Sequence, residues 1–334
     1  MNYRVSLLST EHNQALLELA ATSDTGSDLF TVDRSPDFFA LGATWGESRY
    51  YGLWKRDRLI GCLGVTSLLR FIGGQKTQAA YLHDFRLHPE YTVTRAFYRL
   101  VTEVVFALRK EHQWVYSIVW DSNLHRPSLV RGARLFPAAA AIGQTVHLGL
   151  PLFLPLQGSW TNVQDMDGET AWQHYEKWAP ACMFAFADQE RFIRDNGRFL
   201  GVAEQGRIVA VCKVADQSPV RKLVASRALP LALRLIHSPF RLRGAVRLPA
   251  KGQALPHAYI AHYASADRLD RRPAIFSYLS RHFHDQYAYA FSGLSAEEAA
   301  RYRHPLAIRL GSTTYVYGDA PNGLTLSSHE LTLM

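Results

Sequence analysis

The feature of this sequence that most limits its fold is an internal repeat. Residues 49–60 align without gaps with residues 198–209. In both segments an aromatic and aliphatic run enters a short polar turn, Arg56-Asp57 or Gln205-Gly206, and continues into a second apolar run. Such a pattern predicts a β-hairpin. The chain therefore contains the same predicted hairpin twice, once in each half.

The elements around each hairpin follow one order. A helix is predicted before each hairpin, from apolar residues spaced along one helical face. A strand, a helix and another strand are predicted after it, at residues 80–87, 97–108 and 114–120 in the first copy and at 258–265, 275–283 and 287–292 in the second. A strand, a crossover helix and a strand pair in parallel. Each copy is therefore predicted to form a mixed α/β sheet that contains a parallel pair.

The length of the chain agrees with a duplicated unit. A chain of 334 residues is long enough for two domains of ordinary size. A run marked by proline and glycine, from Leu148 to Gly158, separates the two patterns. We therefore predict an N-terminal domain at residues 1–150 and a C-terminal domain at residues 151–334, here called the first and the second copy.

One local motif connects this plan to a known family. The stretch Leu87–Tyr91, followed by a helix from about Thr94, resembles the GCN5-related N-acetyltransferase (GNAT) superfamily, and the duplication resembles its tandem-domain members. The resemblance implies two tandem acyl-CoA N-acyltransferase domains with an α+β mixed sheet. It implies transfer of an acyl group from acetyl-CoA or another acyl-CoA to a small-molecule or peptide amine. The first copy is the expected acyl-CoA site.

The resemblance also implies where the cofactor would bind. In the family, a loop R/Q-x-x-G-x-G/A opens a helix whose N-terminal amides hold the pyrophosphate of coenzyme A, because free N–H groups and the helix dipole attract anions. In this chain neither expected glycine is present. The implied cofactor-binding residues are Phe85, Leu87, Thr92, Val93, Thr94, Arg95, Ala96 and Asn123. The matching loop of the second copy, residues 267–274, also lacks glycine but contains three arginines, so the choice of copy is open.

Three residues are candidates for the chemistry of acyl transfer. Asp84 occupies the place of a strand carboxylate of the family, and strand alternation predicts that its neighbour His83 lies on the opposite face. Tyr302 follows Ser295 at the spacing that the family uses between a capping residue and a tyrosine general acid. The alternatives are structural: Asp84 as a buried partner of Arg86, and Tyr302 as a tyrosine packed on a helix.

The positive charge of the chain is concentrated in one segment. The net charge is +8, and residues 217–266 contain eight lysines and arginines but no aspartate or glutamate. The predicted basic insertion at residues 217–256 is long for this fold, and its leucine-rich start predicts a helix. We favour a solvated amphipathic insertion, with contact to phosphate, lipid or nucleic acid as the alternative.

The remaining patterns narrow the function. The three cysteines lie far apart, and there is no H-E-x-x-H or other metal-binding motif, so we expect neither a disulfide framework nor a metal. No apolar stretch reaches bilayer length and no secretion signal is evident, which predicts a cytoplasmic protein without a membrane span. A non-catalytic GNAT-like binding module and an aminoacyl-tRNA-dependent transferase are the alternative functions. Nucleic acid is not the favoured partner, and a homodimer is left open.

Overall fold

The computed structural model describes residues 3–22, 29–91, 95–121, 139–194 and 197–318. The strands of these residues are β1 Tyr3–Leu8, β2 Phe30–Asp33, β3 Glu47–Lys55, β4 Arg58–Ile72, β5 Gln75–Leu87, β6 Trp114–Trp120, β7 Ala139–Pro151, β8 Val163–Met166, β9 Ala185–Phe186, β10 Arg198–Glu204, β11 Arg207–Ala215, β12 Lys222–Ala225, β13 His257–Ser265, β14 Tyr289–Leu294 and β15 Ile308–Tyr317. The α-helices are α1 Asn13–Thr22, α2 Ala40–Trp45, α3 Arg95–Glu111, α4 Gly168–Trp178, α5 Gln189–Arg194, α6 Leu231–Arg241, α7 Arg272–His282 and α8 Ala296–Ala300.

The predicted repeat is confirmed. The first hairpin is β3–β4 and the second is β10–β11, and both are antiparallel. Arg56 in the first turn has φ 53° and Gln205 in the second has φ 50°, so the two turns use the same left-handed conformation at the same aligned position. Each copy also contains the predicted parallel pair, β5 with β6 and β13 with β14. The predicted α/β mixed sheet is therefore correct.

One continuous sheet runs through both copies. Its strand order is β1-β3-β4-β5-β6-β15-β7-β14-β13-β11-β10-β8, and β9 adds to β4. β15, the last strand of the described residues, pairs antiparallel with β6 on one side and with β7 on the other. β7 pairs in turn with β14 of the second copy. The final described strands of the two copies have thus exchanged places: β15 lies next to β6 of the first copy, and β7 lies next to β14 of the second. The predicted division between residues 150 and 151 falls at the end of β7 and remains a prediction.

Helices cover the two faces of this sheet. α3 packs Leu100, Val101, Val104 and Leu108 against the first copy, as its helical spacing predicts. α7 packs Ile275, Phe276 and Leu279 against the second copy. α1 and α2 cover the opposite face of the first copy, and α4 and α5 cover the corresponding face of the second. Among the described residues, no helix is both long and apolar enough to span a bilayer.

The basic insertion connects the copies and contains the predicted helix. Its strand β12 pairs antiparallel with β2, from Lys222 opposite Asp33 to Ala225 opposite Phe30. This small sheet joins a segment of the second copy to a segment of the first. The leucine-rich start of the insertion continues into α6, which confirms the helix expected there.

The crossing of β15 predicts that the first copy does not fold alone. Expressed by itself, residues 1–158 lack the strand that lies between β6 and β7, so we expect no cooperative urea transition by circular dichroism. Co-expression with residues 159–334 should restore one. A cooperative transition of the isolated segment, at the midpoint of the whole chain, would contradict the exchanged arrangement.

Candidate functional site

Each copy contains a cleft where its parallel strands part. β5 and β6 are paired from Ala79 and Trp114 to Leu82 and Ser117, and no pairing between these two described strands follows. β13 and β14 are paired from His257 and Tyr289 to Ile260 and Ser292, and then part in the same way. Backbone N–H and C=O groups beyond these points no longer face a neighbouring strand across the cleft. The clefts are therefore matched candidate sites.

A β-bulge marks the start of each cleft. In the first copy, Cys62 pairs with Arg86 but Gly64 pairs with His83, so β5 carries one extra residue. Asp84 has φ 48° at this bulge. In the second copy, β13 carries its extra residue between Ala261 and Ala264, and His262 has φ 50°. Bulges redirect side chains and are common beside functional sites. The repeat thus extends to the backbone conformation of the clefts.

The bulge overturns the expected separation of His83 and Asp84. Strict alternation predicts side chains on opposite faces, yet His83 Nδ1 lies 3.1 Å from Asp84 Oδ2. The extra residue brings two consecutive side chains to the face covered by α1 and α2. Phe85 and Leu87 then alternate again and pack on the α3 side of the sheet. The expectation was wrong because a bulge interrupts the period of two that it assumed.

Asp84 belongs to a buried cluster of charges. Arg34 donates to both carboxylate oxygens of Asp84 from Nη1, at 3.0 and 3.1 Å, and Arg86 Nη2 lies 3.5 Å away. All three side chains are buried. Burial by itself would raise the pKa of Asp84, but Arg34, His83 and Arg86 outweigh it and hold that pKa well below its usual range. Asp84 is therefore a permanent carboxylate at neutral pH.

His83 connects this carboxylate to a pair of hydroxyl groups. Its Nε2 lies 2.8 Å from Thr66 Oγ1, which lies 2.6 Å from Ser48 Oγ, and Ser48 donates to the carbonyl of Gly42 at 2.9 Å. Burial lowers the pKa of His83 below its ordinary value, although Asp84 counteracts part of this effect. The ring is therefore neutral at neutral pH, so it can accept a proton.

Gly64 makes room for the imidazole of His83. A Cβ atom at Gly64 would lie 2.4 Å from His83 Cε1, which is closer than non-bonded atoms approach. Gly64 pairs directly with His83 across β4 and β5. Any larger residue at position 64 would displace the ring. Sequence reasoning missed Gly64, Thr66, Ser48 and Arg34, and Arg34 carries no sequence signal because it lies 50 residues from its partner.

The second cleft is occupied by the side chains of its own loop. Amide groups that would face a bound anion are already hydrogen-bonded: Leu269 N to Asp267, Arg272 N to Asp270, and Arg271 N to the hydroxyl of Tyr263. The buried guanidinium of Arg272 contacts Asp270 at 3.0 Å and Glu298 at 3.1 Å. Carboxylates thus take the place that a pyrophosphate would need. An anion that binds in this cleft would have to displace these carboxylates from the loop amides and from Arg272.

Tyr302 belongs to this second network. Its hydroxyl donates to Asp270 Oδ2 at 2.7 Å, and its ring lies against Phe276. Burial and the nearby Asp270 raise its pKa far above the ordinary value. Ser295 caps α8 as its spacing predicts. The structure therefore places Tyr302 in the second copy, without a contact to His83 or Asp84, and ties its proton to a carboxylate.

The predicted cofactor residues are only partly described. Phe85 and Leu87 lie at the end of β5, directly before the start of α3 at Arg95. The helix begins within one residue of its predicted start. Thr92, Val93, Thr94 and Asn123, and the side chains of Arg95 and Ala96, lie outside the described residues. Their assignment stays a prediction. Among the described residues, no three metal-ligating side chains form a group that could hold an ion.

Solved structures of known proteins share this architecture. Saccharomyces cerevisiae N-myristoyltransferase with bound myristoyl-CoA superimposes with a TM-score of 0.61 at 10% identity, over 99% of this chain and 87% of that one. A GCN5-related N-acetyltransferase from Anabaena variabilis gives 0.55 at 10% identity, over 94% and 72% of the two chains. The chain has the GNAT fold. No protein-family model and no curated protein matches the sequence.

A third similar structure agrees with this assignment of the GNAT fold. A protein from Enterococcus faecalis, described as a probable N-acyltransferase, gives a TM-score of 0.52 at 9% identity, over 95% of this chain and 72% of that one. Each of these similarities covers both copies, so the tandem GNAT arrangement extends over nearly the whole chain. The expected fold is confirmed, and at these identities the comparisons establish the fold alone.

The buried cluster around Asp84 predicts a large effect of removing its charge. Asp84→Asn preserves the shape and tolerates a positive φ, but it leaves Arg34 and Arg86 without a carboxylate, so we expect a loss of about 3–5 kcal/mol in the free energy of unfolding. Asp165→Asn, which breaks the exposed pair with Arg198, is the control and should cost less than about 1 kcal/mol. Equal losses in urea unfolding of the two variants would rule out this electrostatic account.

Proposed function

We propose that this protein is an acyl-CoA-dependent N-acyltransferase whose first copy holds the acyl-CoA. The observation that carries the proposal concerns the loop of the second cleft. Both clefts open at a bulge between parting parallel strands, and the loop of the second is already held by its own carboxylates and arginine, whereas the matching loop of the first lies largely outside the described residues. In the second cleft, Asp267, Asp270 and Glu298 already pair with Arg271 and Arg272, so an anionic carrier would have to displace these carboxylates from the arginines.

The first copy offers the complementary features. Beyond Leu82, β5 no longer pairs with β6, so backbone groups of this part of β5 would bind an extended amide-containing chain. α3 begins at Arg95, shortly after β5 ends, so its first amides would hold the pyrophosphate together with Thr92, Val93 and Thr94. The bound acyl-CoA supplies a thioester carbonyl for attack by an amine. We expect an acetyl group, since the resemblance from the sequence is to acetyltransferases, and a longer acyl chain is the alternative.

With a neutral His83, the chain of hydrogen-bond contacts around this residue has one hydrogen fewer than it has contacts. Four contacts link five groups one after another: Asp84, His83, Thr66, Ser48 and the carbonyl of Gly42. Both ends of this chain can only accept. A neutral imidazole and two hydroxyl groups each supply one hydrogen, which makes three for the four contacts, whereas an imidazolium supplies the fourth. Protonation of His83 would therefore complete every hydrogen bond in the chain.

This count assigns roles to the two predicted catalytic residues of the first copy. His83 is the proton acceptor, which would take the proton of the acceptor ammonium through the Ser48 and Thr66 hydroxyls. Asp84 is a positioning residue, since its low pKa prevents it from accepting the proton itself, while its charge stabilises the imidazolium that forms. Tyr302 has no part in this arrangement, because its hydroxyl is bound to Asp270 in the other cleft.

Several features of the proposed activity rest on the sequence. The acceptor is a small-molecule or peptide amine, and the reaction would take place in the cytoplasm. A homodimer is compatible with the sequence. Use of an aminoacyl-tRNA would require an RNA-binding surface, and the basic insertion is the candidate for it. A GNAT-like module that only binds a ligand is the other alternative, and the absence of the two loop glycines favours it.

Calorimetric titration with acetyl-CoA and coenzyme A tests the proposal. We expect both ligands to bind, and Arg95→Glu to weaken the binding of each at least tenfold, because a carboxylate at the start of α3 repels the pyrophosphate. Arg268→Glu, the same charge change in the exposed loop of the second copy, is the matched control and should bind as the unchanged protein does.

The outcomes separate the alternatives. No heat with either ligand would leave the non-catalytic module as the better interpretation. Weaker binding by Arg268→Glu, with Arg95→Glu unaffected, would move the acyl-CoA to the second copy.

A further inference from the structure

A cavity of about 350 Å³ lies between the two copies. Trp45 and Arg70 of the first copy line it together with Phe186, Lys213 and His262 of the second. Arg70 and Thr66 lie on the same face of β4, so the cavity shares the sheet face on which Thr66 contacts His83. The cavity lies beside His262, the bulge residue of the second copy. In the first copy, the corresponding space beside the bulge residue Asp84 is filled by the Asp84 cluster.

Within the described part of the chain, Arg70 is a buried cation that lacks an anionic partner. Its side chain is 0% exposed, and its Nε and Nη1 atoms have no hydrogen-bond partner among the described residues. The guanidinium lies 5.0 Å from the ring of Phe186, which is its cation–π contact. A buried charge without a counter-ion is strongly disfavoured. Since Arg70 lies in the wall of a cavity, a ligand that displaces the side chains covering the guanidinium can supply the missing negative charge.

The rest of the cavity wall has the same sign of charge. Lys213 is buried beside it and donates from Nζ to the carbonyl of Phe192 at 2.8 Å. Arg194 borders the rim, where it also pairs with Glu190. Asp216, at the solvent-exposed side, is the one carboxylate among the lining residues. Three lining cations against one carboxylate give the cavity a positive potential that favours an anion.

The shape of the wall selects a carboxylate on an apolar body. α2 and α5 reach the cavity with their last residues, Trp45 and Arg194, so neither helix presents to it the row of N-terminal amides that commonly holds phosphate. Trp45 and Phe186 supply flat apolar surface. A planar guanidinium matches a carboxylate through two parallel hydrogen bonds.

We propose that this cavity binds a small organic carboxylate with an aromatic or other apolar body. The carboxylate pairs with Arg70, and the apolar body packs against Trp45 and Phe186. Binding connects the two copies, because both contribute lining residues. The ring of Trp45 also lies 4.9 Å from the ring of His83, so an occupant touches a residue that packs on the proposed proton acceptor. The site itself does not depend on the proposed acyl transfer.

Titration with 3-phenylpropanoate and with its neutral amide, 3-phenylpropanamide, tests the proposal by calorimetry and tryptophan fluorescence. We expect the acid to bind more tightly than about 1 mM and at least tenfold better than the amide. Arg70→Met should abolish this preference for the acid. Arg207→Met, on an exposed strand end, is the control and should retain it.

A second variant keeps the test informative if the Arg70→Met protein does not fold. Ala261→Leu narrows the cavity while leaving Arg70 in place, and should also weaken binding of the acid at least tenfold. The proposal is overturned if the unchanged protein binds the acid no better than the amide, or binds neither. It is also overturned if a folded Arg70→Met or Ala261→Leu variant binds the acid as the unchanged protein does.

A separate observation concerns α6 of the basic insertion. Its inner face packs Leu233, His237 and Phe240 on the protein. Leu231, Leu235 and Leu242 are 67%, 64% and 89% exposed. At 100° per residue, Leu231 and Leu235 of α6 and its C-cap residue Leu242 lie within about 40° of one another, opposite the inner face. A stripe of leucines therefore points into solvent.

The charges around this stripe identify its partner. Exposed arginines surround it, among them Arg227, Arg234 and Arg243, and residues 217–266 contain no acidic residue. A nucleic-acid backbone would contact the cations alone and would leave the exposed leucines without a partner. A convex helix with an apolar stripe beside cations matches the boundary of an anionic bilayer. The geometry points to docking of α6 on a membrane surface that contains anionic lipid.

Vesicle flotation tests this docking. The protein should float with vesicles of phosphatidylcholine and phosphatidylglycerol but not with phosphatidylcholine alone. Leu231→Ser/Leu235→Ser should reduce the partition coefficient at least tenfold. Leu7→Ser/Leu269→Ser is the matched control, because those leucines are 60% and 58% exposed elsewhere, and it should float unchanged. Failure of the unchanged protein to float with the anionic vesicles, equal flotation with both vesicles, or an equal loss in both variants would overturn the proposal.

Discussion

The first cleft depends on the buried contact between Arg34 and Asp84. Asp84 occupies a bulge with a positive φ, where an L-residue is strained, and it is buried with a full negative charge. Both costs are tolerated because Arg34 and Arg86 neutralise the charge and fix the side chain. Arg34 lies just beyond β2, which pairs with β12 of the basic insertion. The electrostatic centre of the first cleft is thus connected to the backbone of the second copy.

The two copies show how one backbone plan can support different sites. Both part their parallel strands at a bulge, but the residue at the bulge is an aspartate in one and a histidine in the other. In the first copy the bulge organises ionised and neutral groups around His83. In the second, the charges have moved to the loop and close the cleft, while the space beside His262 forms a cavity bordered by Arg70. The two copies therefore share a backbone arrangement, while the side chains in their clefts differ.

Local patterns predicted the elements well, and the site only in part. The hairpins, the crossover helices and the tandem GNAT plan are visible in the sequence because hydrophobic period and turn residues are local signals. The exchange of β7 and β15 leaves no such signal, because the hydrophobic pattern of either strand is compatible with pairing to the same neighbouring strands. His83 and Asp84 were found, but their shared face was not, because one bulge shifts the alternation. Arg34 and Arg70 act through contacts with residues far away in the chain, which spacing does not reveal.

The central claim is that acyl-CoA enters the first cleft and not the second. Amide hydrogen exchange with and without acetyl-CoA tests it directly, because backbone N–H groups that bind the ligand exchange more slowly. If acyl-CoA binds in the first cleft, exchange slows at the end of β5 and in the first turn of α3, residues 83–99, with no change around the start of α7. Slower exchange confined to residues 261–275, or none at any position, would contradict it.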